Sequence, residues 1–199
     1  LVDQEQQKIK MLQTGIETGL VIAKATALAR DLVNTPGNDM TPSHLAEEAG
    51  QLAKTQGLEL DVLEQRQCED LGMGAFLSVS QGSSQPPKFI VLKYSGDPDH
   101  PENNLGLVGK GVTFDSGGIS LKPASGMGAM KGDMTGGASV IAAMQAIGTL
   151  KPTINVTAIV AATENMPSST ATKPGDVVKA MNGKTIEVDN TDAEGRLTL

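Results

Sequence analysis

Residues 189–197 read Asp-Asn-Thr-Asp-Ala-Glu-Gly-Arg-Leu, so that Asp192, Glu194 and Arg196 follow one another at steps of two. In an extended or turning segment, residues two apart point to one side, which could aim two anions and a cation into one cavity. Alternating charge also decorates many solvated loops, so the triplet alone decides little. Upstream, Gly109-Lys110-Gly111-Val112-Thr113-Phe114-Asp115-Ser116-Gly117-Gly118 places an acid just past an aliphatic run, among glycines that let backbone approach a ligand closely. Asp133 lies in Lys131-Gly132-Asp133-Met134-Thr135-Gly136-Gly137, ahead of an Ala-rich run. Taken singly, Asp133 reads as a helix N-cap, Asp115 as a turn acid and Lys110 as a solvated lysine at a strand end. Four carboxylates gathered in one cavity would repel unless cations sat among them, and a pair of divalent ions about 3.5–4 Å apart would answer that need. Only two histidines, His44 and His100, are present, neither near another candidate ligand. A His-rich zinc site is thereby excluded, and metal-assisted hydrolysis would rest mainly on oxygen ligands, which suit Zn, Mn or Mg.

Together and in this order, these segments resemble the leucine (cytosol) aminopeptidase family, and the likeness extends back to Asn34-Thr35-Pro36. The resemblance implies a dinuclear metal-dependent aminopeptidase that releases N-terminal amino acids, with leucine-type preference, from peptides with a free N-terminus. It assigns one metal to Asp115, Asp192 and Glu194 and the second to Lys110, Asp115, Asp133 and Glu194, with Mn or Zn as the ions and Mg as a further candidate. A lysine of pKa about 10.4 donates no lone pair while protonated, so metal binding would have to displace the Lys110 proton. The matching roles for Lys122 and Arg196 are catalytic: Lys122 steadies the tetrahedral oxyanion, and Arg196 anchors a bicarbonate that accepts a proton. The rigid guanidinium fork fits such a planar anion. Taken singly, Lys122 is a solvated loop lysine. Met130 matches a substrate-binding position, although an apolar Met there could equally be packing. The family also implies a homohexamer, further chain on both sides, a connecting helix over residues 1–35, and the N-terminal part of the catalytic domain over 36–199. The alternative is an inactive fragment that folds or oligomerises without hydrolysing anything.

The bulk composition narrows other classes. A net charge of −7 over 199 residues argues against a nucleic-acid partner, because phosphate-backbone affinity rests on clustered Lys and Arg. Cys68 is the only cysteine, which excludes an intrachain disulfide and suggests a reducing, cytoplasmic setting. No run reaches the roughly 18 apolar residues of a membrane span, and no signal peptide is visible at the start. With no Trp, one Tyr and three Phe, a core must be built from aliphatic side chains and Met. The Gly-rich stretches around 109–118 and 132–137 match neither the P-loop nor the dinucleotide pattern, which argues against a nucleotide-binding module.

The elements that must position these residues read as α/β, a central mostly parallel or mixed sheet flanked by helices. Residues 4–33 are predicted as one long helix with Ile9, Leu12, Ile16, Leu20, Ala23 and Ala27 on its apolar stripe. Thr41-Pro42 opens a second helix ending at Gly57. Residues 64–77 are expected to hold another helix, punctuated by Gly72 and Gly74. Strands are expected over 58–63, 88–94, 105–109 and 154–162, with a buried helix over 135–147. Asn182-Gly183 predicts a hairpin with a type I′ turn between 177–181 and 184–188.

Overall fold

The computed structural model describes residues 6–199. Helix α1 spans Gln6–Asn34, so the first residues of the expected helix lie outside the described part. Its inward face differs from the expected stripe. Ala25 and Leu32 are buried with Leu28 and Val33 packed beside them, whereas Ile16 and Leu20 are exposed. Ala23 and Ala27 are exposed as well. Several apolar faces were available on this helix, and the helix it packs against, described below, selects one of them. Helix α2, Pro42–Gln56, begins as expected: Thr41 Oγ1 accepts from the His44 amide at 3.2 Å, an interaction worth about 1 kcal/mol. Gly57 closes it at a φ of 68°.

Strand β1 (Glu59–Leu63) leads to two short helices, α3 (Gln65–Asp70) and α4 (Gly74–Ser80), in place of the single helix expected over 64–77. The break falls at Gly72, whose φ of 70° is left-handed. Strands β2 (Lys88–Ser95), β3 (Asn104–Asp115) and β4 (Asn155–Asn165) complete a four-stranded sheet in the order β1-β2-β4-β3. Only β3 and β4 run parallel, so the sheet is mixed. Between them lie a 3-10 helix, Met127–Met134, and helix α5, Thr135–Leu150.

The alternation along the strands sorts the core into two layers. Ile90, Leu92, Val156, Ala158 and Val160 face Leu45, Ala49 and Leu52 of α2, Ile141 and Met144 of α5, and Leu32 of α1. On the other face, Phe89 and Ala161 meet Cys68 and Phe76, whose ring stands edge-on to Phe89 at 5.8 Å. The result is an α/β sandwich. No helix among the described residues is long and apolar enough to cross a membrane.

Strand β3 is more than twice as long as expected, and it carries Lys110 and Asp115 inside the sheet rather than beyond it. Its glycines hid this, since Gly is depleted in strands. They are there because α5 sits on the strand backbone. A Cβ on Gly109 would lie 2.6 Å from the Gly136 carbonyl oxygen, and one on Gly137 would lie 3.1 Å from that of Lys110. A bulge between Val112 and Phe114 shifts the register just before Asp115.

The hairpin after β4 pairs β5 (Val177–Lys179) with β6 (Thr185–Glu187), but its turn is not type I′. That turn needs positive φ at both central residues, and Asn182 does not have it. Instead the Gly183 amide donates to Ala180 O, the Ala180 amide donates to Lys184 O, and Gly183 alone is left-handed at 86°. That is a type I turn with a glycine bulge. Helix α6 is one turn, Gly195–Thr198.

Candidate metal centre

The parallel pairing of β3 with β4 sets Asp115 opposite Asn165 at the carboxyl ends of both strands, the edge where open α/β sheets bind ligands. Three further segments converge there. The 3-10 helix brings Asp133, the turn after β6 brings Asp192, and the N-terminal end of α6 brings Glu194. Asp133 is thus not the N-cap of α5, a position held by Met134.

One carboxylate oxygen each from Asp115, Asp192 and Glu194 lie within 4.8 Å of one another. Lys110 Nζ stands 2.8 Å from Asp133 Oδ2 and 2.5 Å from Glu194 Oε1, so a single ammonium reaches both acids. Lys122 Nζ stands 2.8 Å from Asp115 Oδ2 and also contacts Asp192 Oδ1. Each lysine therefore links two acids from different segments, yet four carboxylates still outnumber two ammonium groups.

Burial works against the charge on Lys110, but its contacts with Asp133 and Glu194 prevail and raise its pKa above the ordinary lysine value. Lys122 is raised in the same way, burial again opposing and Asp115 and Asp192 prevailing. Asp133 is pushed up to about 6, chiefly by burial, with Lys110 pulling it down. The pairing with Lys110 is thus insufficient to offset the loss of water around that carboxyl.

The donor set fits divalent cations. Asp133 Oδ2 and both Glu194 side-chain oxygens are buried without a hydrogen-bond partner among the described residues. Lys110 Nζ stands 2.8 Å and 2.5 Å from two of these atoms, Asp133 Oδ2 and Glu194 Oε1, and compensates them in part, which leaves Glu194 Oε2 the barest of the three. Buried acceptors are normally satisfied, and carboxylate oxygens converging in this way suit Mn, Mg or Zn.

Arg196 is exposed on α6 and helps line a cleft of about 390 Å³ with Lys110, Asp192 and Glu194. Met130 is half-buried on the 3-10 helix and does not line that cleft. Two residues that sequence reasoning passed over hold the site together. Asn165, 4% exposed, donates to Asp115 Oδ1 at 2.8 Å and to Thr191 O at 2.9 Å. The Thr191 hydroxyl donates to Gly117 O and accepts from the Ser120 amide. The available signal was a polar residue ending a buried aliphatic strand, Ile159-Val160-Ala161-Ala162-Thr163-Glu164-Asn165.

Comparison with known proteins places this arrangement in context. The catalytic-domain pattern of the cytosol aminopeptidase family matches residues 27–199. The chain is 57% identical, over its full length, to a probable cytosol aminopeptidase of Alkaliphilus metalliredigens, of which it covers 40%. It is 54% identical over 98% of its length to another from Methylibium petroleiphilum, again covering 40% of that relative. Among solved structures, the bottromycin maturation enzyme BotP in complex with Mn superposes with a TM-score of 0.87 at 44% identity, over 94% of this chain and 40% of that one. The chain thus spans about 40% of the length of these relatives.

Proposed function

Because the chain belongs to the cytosol aminopeptidase family, we propose that it carries the metal centre of an aminopeptidase that removes N-terminal residues from peptides. The observation that bears the most weight is the convergence of Asp115, Asp192 and Glu194, where the buried Glu194 Oε2 has no hydrogen-bond partner among the described residues. In this reading Asp115, Asp192 and Glu194 hold one divalent ion, and Lys110, Asp115, Asp133 and Glu194 hold a second. When bound, the two ions, Mn or Zn with Mg as a further candidate, supply Lewis acidity and a nucleophilic water at neutral pH.

The protein's own groups do the rest. Lys122 presents a positive charge toward the oxyanion that develops as the scissile carbonyl is attacked, where one donor is typically worth about 3–4 kcal/mol. Arg196 offers its exposed guanidinium to a carbonate-like anion at the cleft, and that anion accepts the proton of the attacking water. Met130 is a candidate wall of the substrate pocket and, sitting outside the cleft lined by Arg196, the least supported of these residues. A leucine-type preference, assembly into a homohexamer, a cytoplasmic setting and a connecting role for the segment over residues 1–35 belong to the same proposal. An inactive segment finds no support in a site that keeps every candidate ligand.

The test is hydrolysis of leucine p-nitroanilide by the intact protein after chelation and again after Mn2+ is restored. Loss and recovery of activity are expected. Activity that persists unchanged through chelation would overturn the metal-dependent reading.

A further inference from the structure

We propose that Asn165 is the positioning residue of this centre, holding the Asp115 carboxylate and the Thr191–Glu194 turn in one fixed relation. This rests on the reading of the carboxylate cluster as a metal site. The proposal concerns how the ligands are aimed rather than which they are.

The geometry is unusually committed. Asn165 ends β4, and its carboxamide spends one N–H on Asp115 Oδ1 and the other on the Thr191 carbonyl. Its main-chain carbonyl accepts from both the amide (3.0 Å) and the hydroxyl (2.7 Å) of Ser116. A side chain with two donors is therefore clamped between the end of β3 and the turn that delivers Asp192 and Glu194. Gly117 N gives Asp115 Oδ1 a second donor at 2.9 Å. With Oδ1 saturated, Oδ2 is the oxygen left facing Lys122. The carboxamide oxygen lies close to Gly118, where an added Cβ would approach it to 2.8 Å. Turned over, the carboxamide would set its oxygen against Asp115 Oδ1 and Thr191 O, so the two hydrogen bonds fix its orientation and leave no spare donor.

A carboxylate would have the same shape but neither N–H, and it would set a like charge beside Asp115. Alanine would leave Asp115 Oδ1 and Thr191 O each short of a donor in a buried site. In either case Asp115 and the turn lose the link that fixes their separation, and ligands out of place bind metal less tightly. Outer-shell partners of metal ligands typically account for about 10–100-fold in affinity.

The experiment is isothermal titration of the metal-free intact protein with MnCl2 alone, for the wild type, Asn165→Ala, Asn165→Asp and Asn155→Ala. The last removes hydrogen bonds to Asp97 O and His100 O at the opposite end of β4, and it controls for loss of stability by itself. Both Asn165 variants are expected to bind Mn2+ about 10–100-fold more weakly while keeping wild-type far-UV circular dichroism. Asn155→Ala should unfold at lower temperature yet bind Mn2+ as the wild type does. If Asn165→Ala fails to fold, the near-isosteric Asn165→Asp carries the measurement. Wild-type affinity in the folded Asn165 variants, or equal weakening in Asn155→Ala, would overturn the positioning role and leave the proposed function standing. A wild type that binds no Mn2+ would overturn both.

Discussion

Replacing Glu194 by Gln should stabilise the metal-free protein and remove most of its stabilisation by Mn2+. Glu194 is 2% exposed, its Oε1 stands 2.5 Å from Lys110 Nζ, and its buried Oε2 has no hydrogen-bond partner among the described residues. A buried unsatisfied polar group costs about 1–3 kcal/mol, and more when charged. Four carboxylates face two ammonium groups here, so neutralising one relieves repulsion while Lys110 keeps Asp133 as a partner. Allowing for the ion pair that Lys110 loses, the net gain is about 1 kcal/mol, which raises Tm by about 2–4 °C in a domain of this size. With metal the order reverses. A ligand present at 100 times its Kd stabilises by about 2.7 kcal/mol. If losing an anionic ligand weakens binding about 100-fold, at least the effect of losing an outer-shell partner, the same Mn2+ contributes only about 0.4 kcal/mol. Far-UV circular dichroism melts with and without MnCl2 read both quantities. A variant that melts lower than the wild type without metal, yet keeps the full Mn2+-induced rise, would refute the reasoning.

Lys110→Ala and Lys122→Ala should fail differently. The first is expected to weaken the second Mn2+ in a calorimetric titration. The second should keep both ions while kcat falls, because a charge acting on the transition state leaves ground-state binding intact. Gly109→Ala puts a methyl 2.6 Å from the Gly136 carbonyl oxygen, an overlap that only backbone movement relieves. It should lose about 1–3 kcal/mol of stability in denaturant titration. Asp97 accepts from His100 at 2.8 Å and from Asn103 at 3.0 Å, and these bonds hold its pKa below the usual carboxylate value. Its contribution is then complete above about pH 4 and is lost as pH falls through the depressed value. Asp97→Asn should therefore melt lower than the wild type near neutrality, and the gap should close in acid; a gap independent of pH would refute it.

The sequence carried the candidate site further than it carried the fold. Asp115, Asp133, Asp192 and Glu194 stand in short, distinctive runs, and the structure brings all four to one edge of the sheet. Helix α2 was legible for a local reason, since a Thr-Pro start and a Gly stop act within a few residues. The face of α1 was not, because its buried side depends on α5, and two apolar faces competed within one helix. The length of β3 was hidden by Gly109 and Gly111, which read as loop residues. Their reason is a helix that arrives some 25 positions later in the chain. Asn165 was missed because a single amide at a strand end looks like any strand terminus until its two partners, 50 and 26 residues away, are known.

The seat of α5 on β3 has a consequence for how this site can vary. Gly109, Gly111, Gly136 and Gly137 carry no functional group, yet a Cβ at any of them would meet backbone or buried side chain within 3.2 Å. Lys110 lies between the first two, and Asp133 precedes the second two by three and four positions. A lineage could thus exchange surface residues around the cleft freely, but it could not adjust the spacing of Lys110 and Asp133 by small steps at these positions. In a library of all single substitutions, the four glycines should rank with the acids in intolerance. They mark this edge of the sheet by what is missing from them.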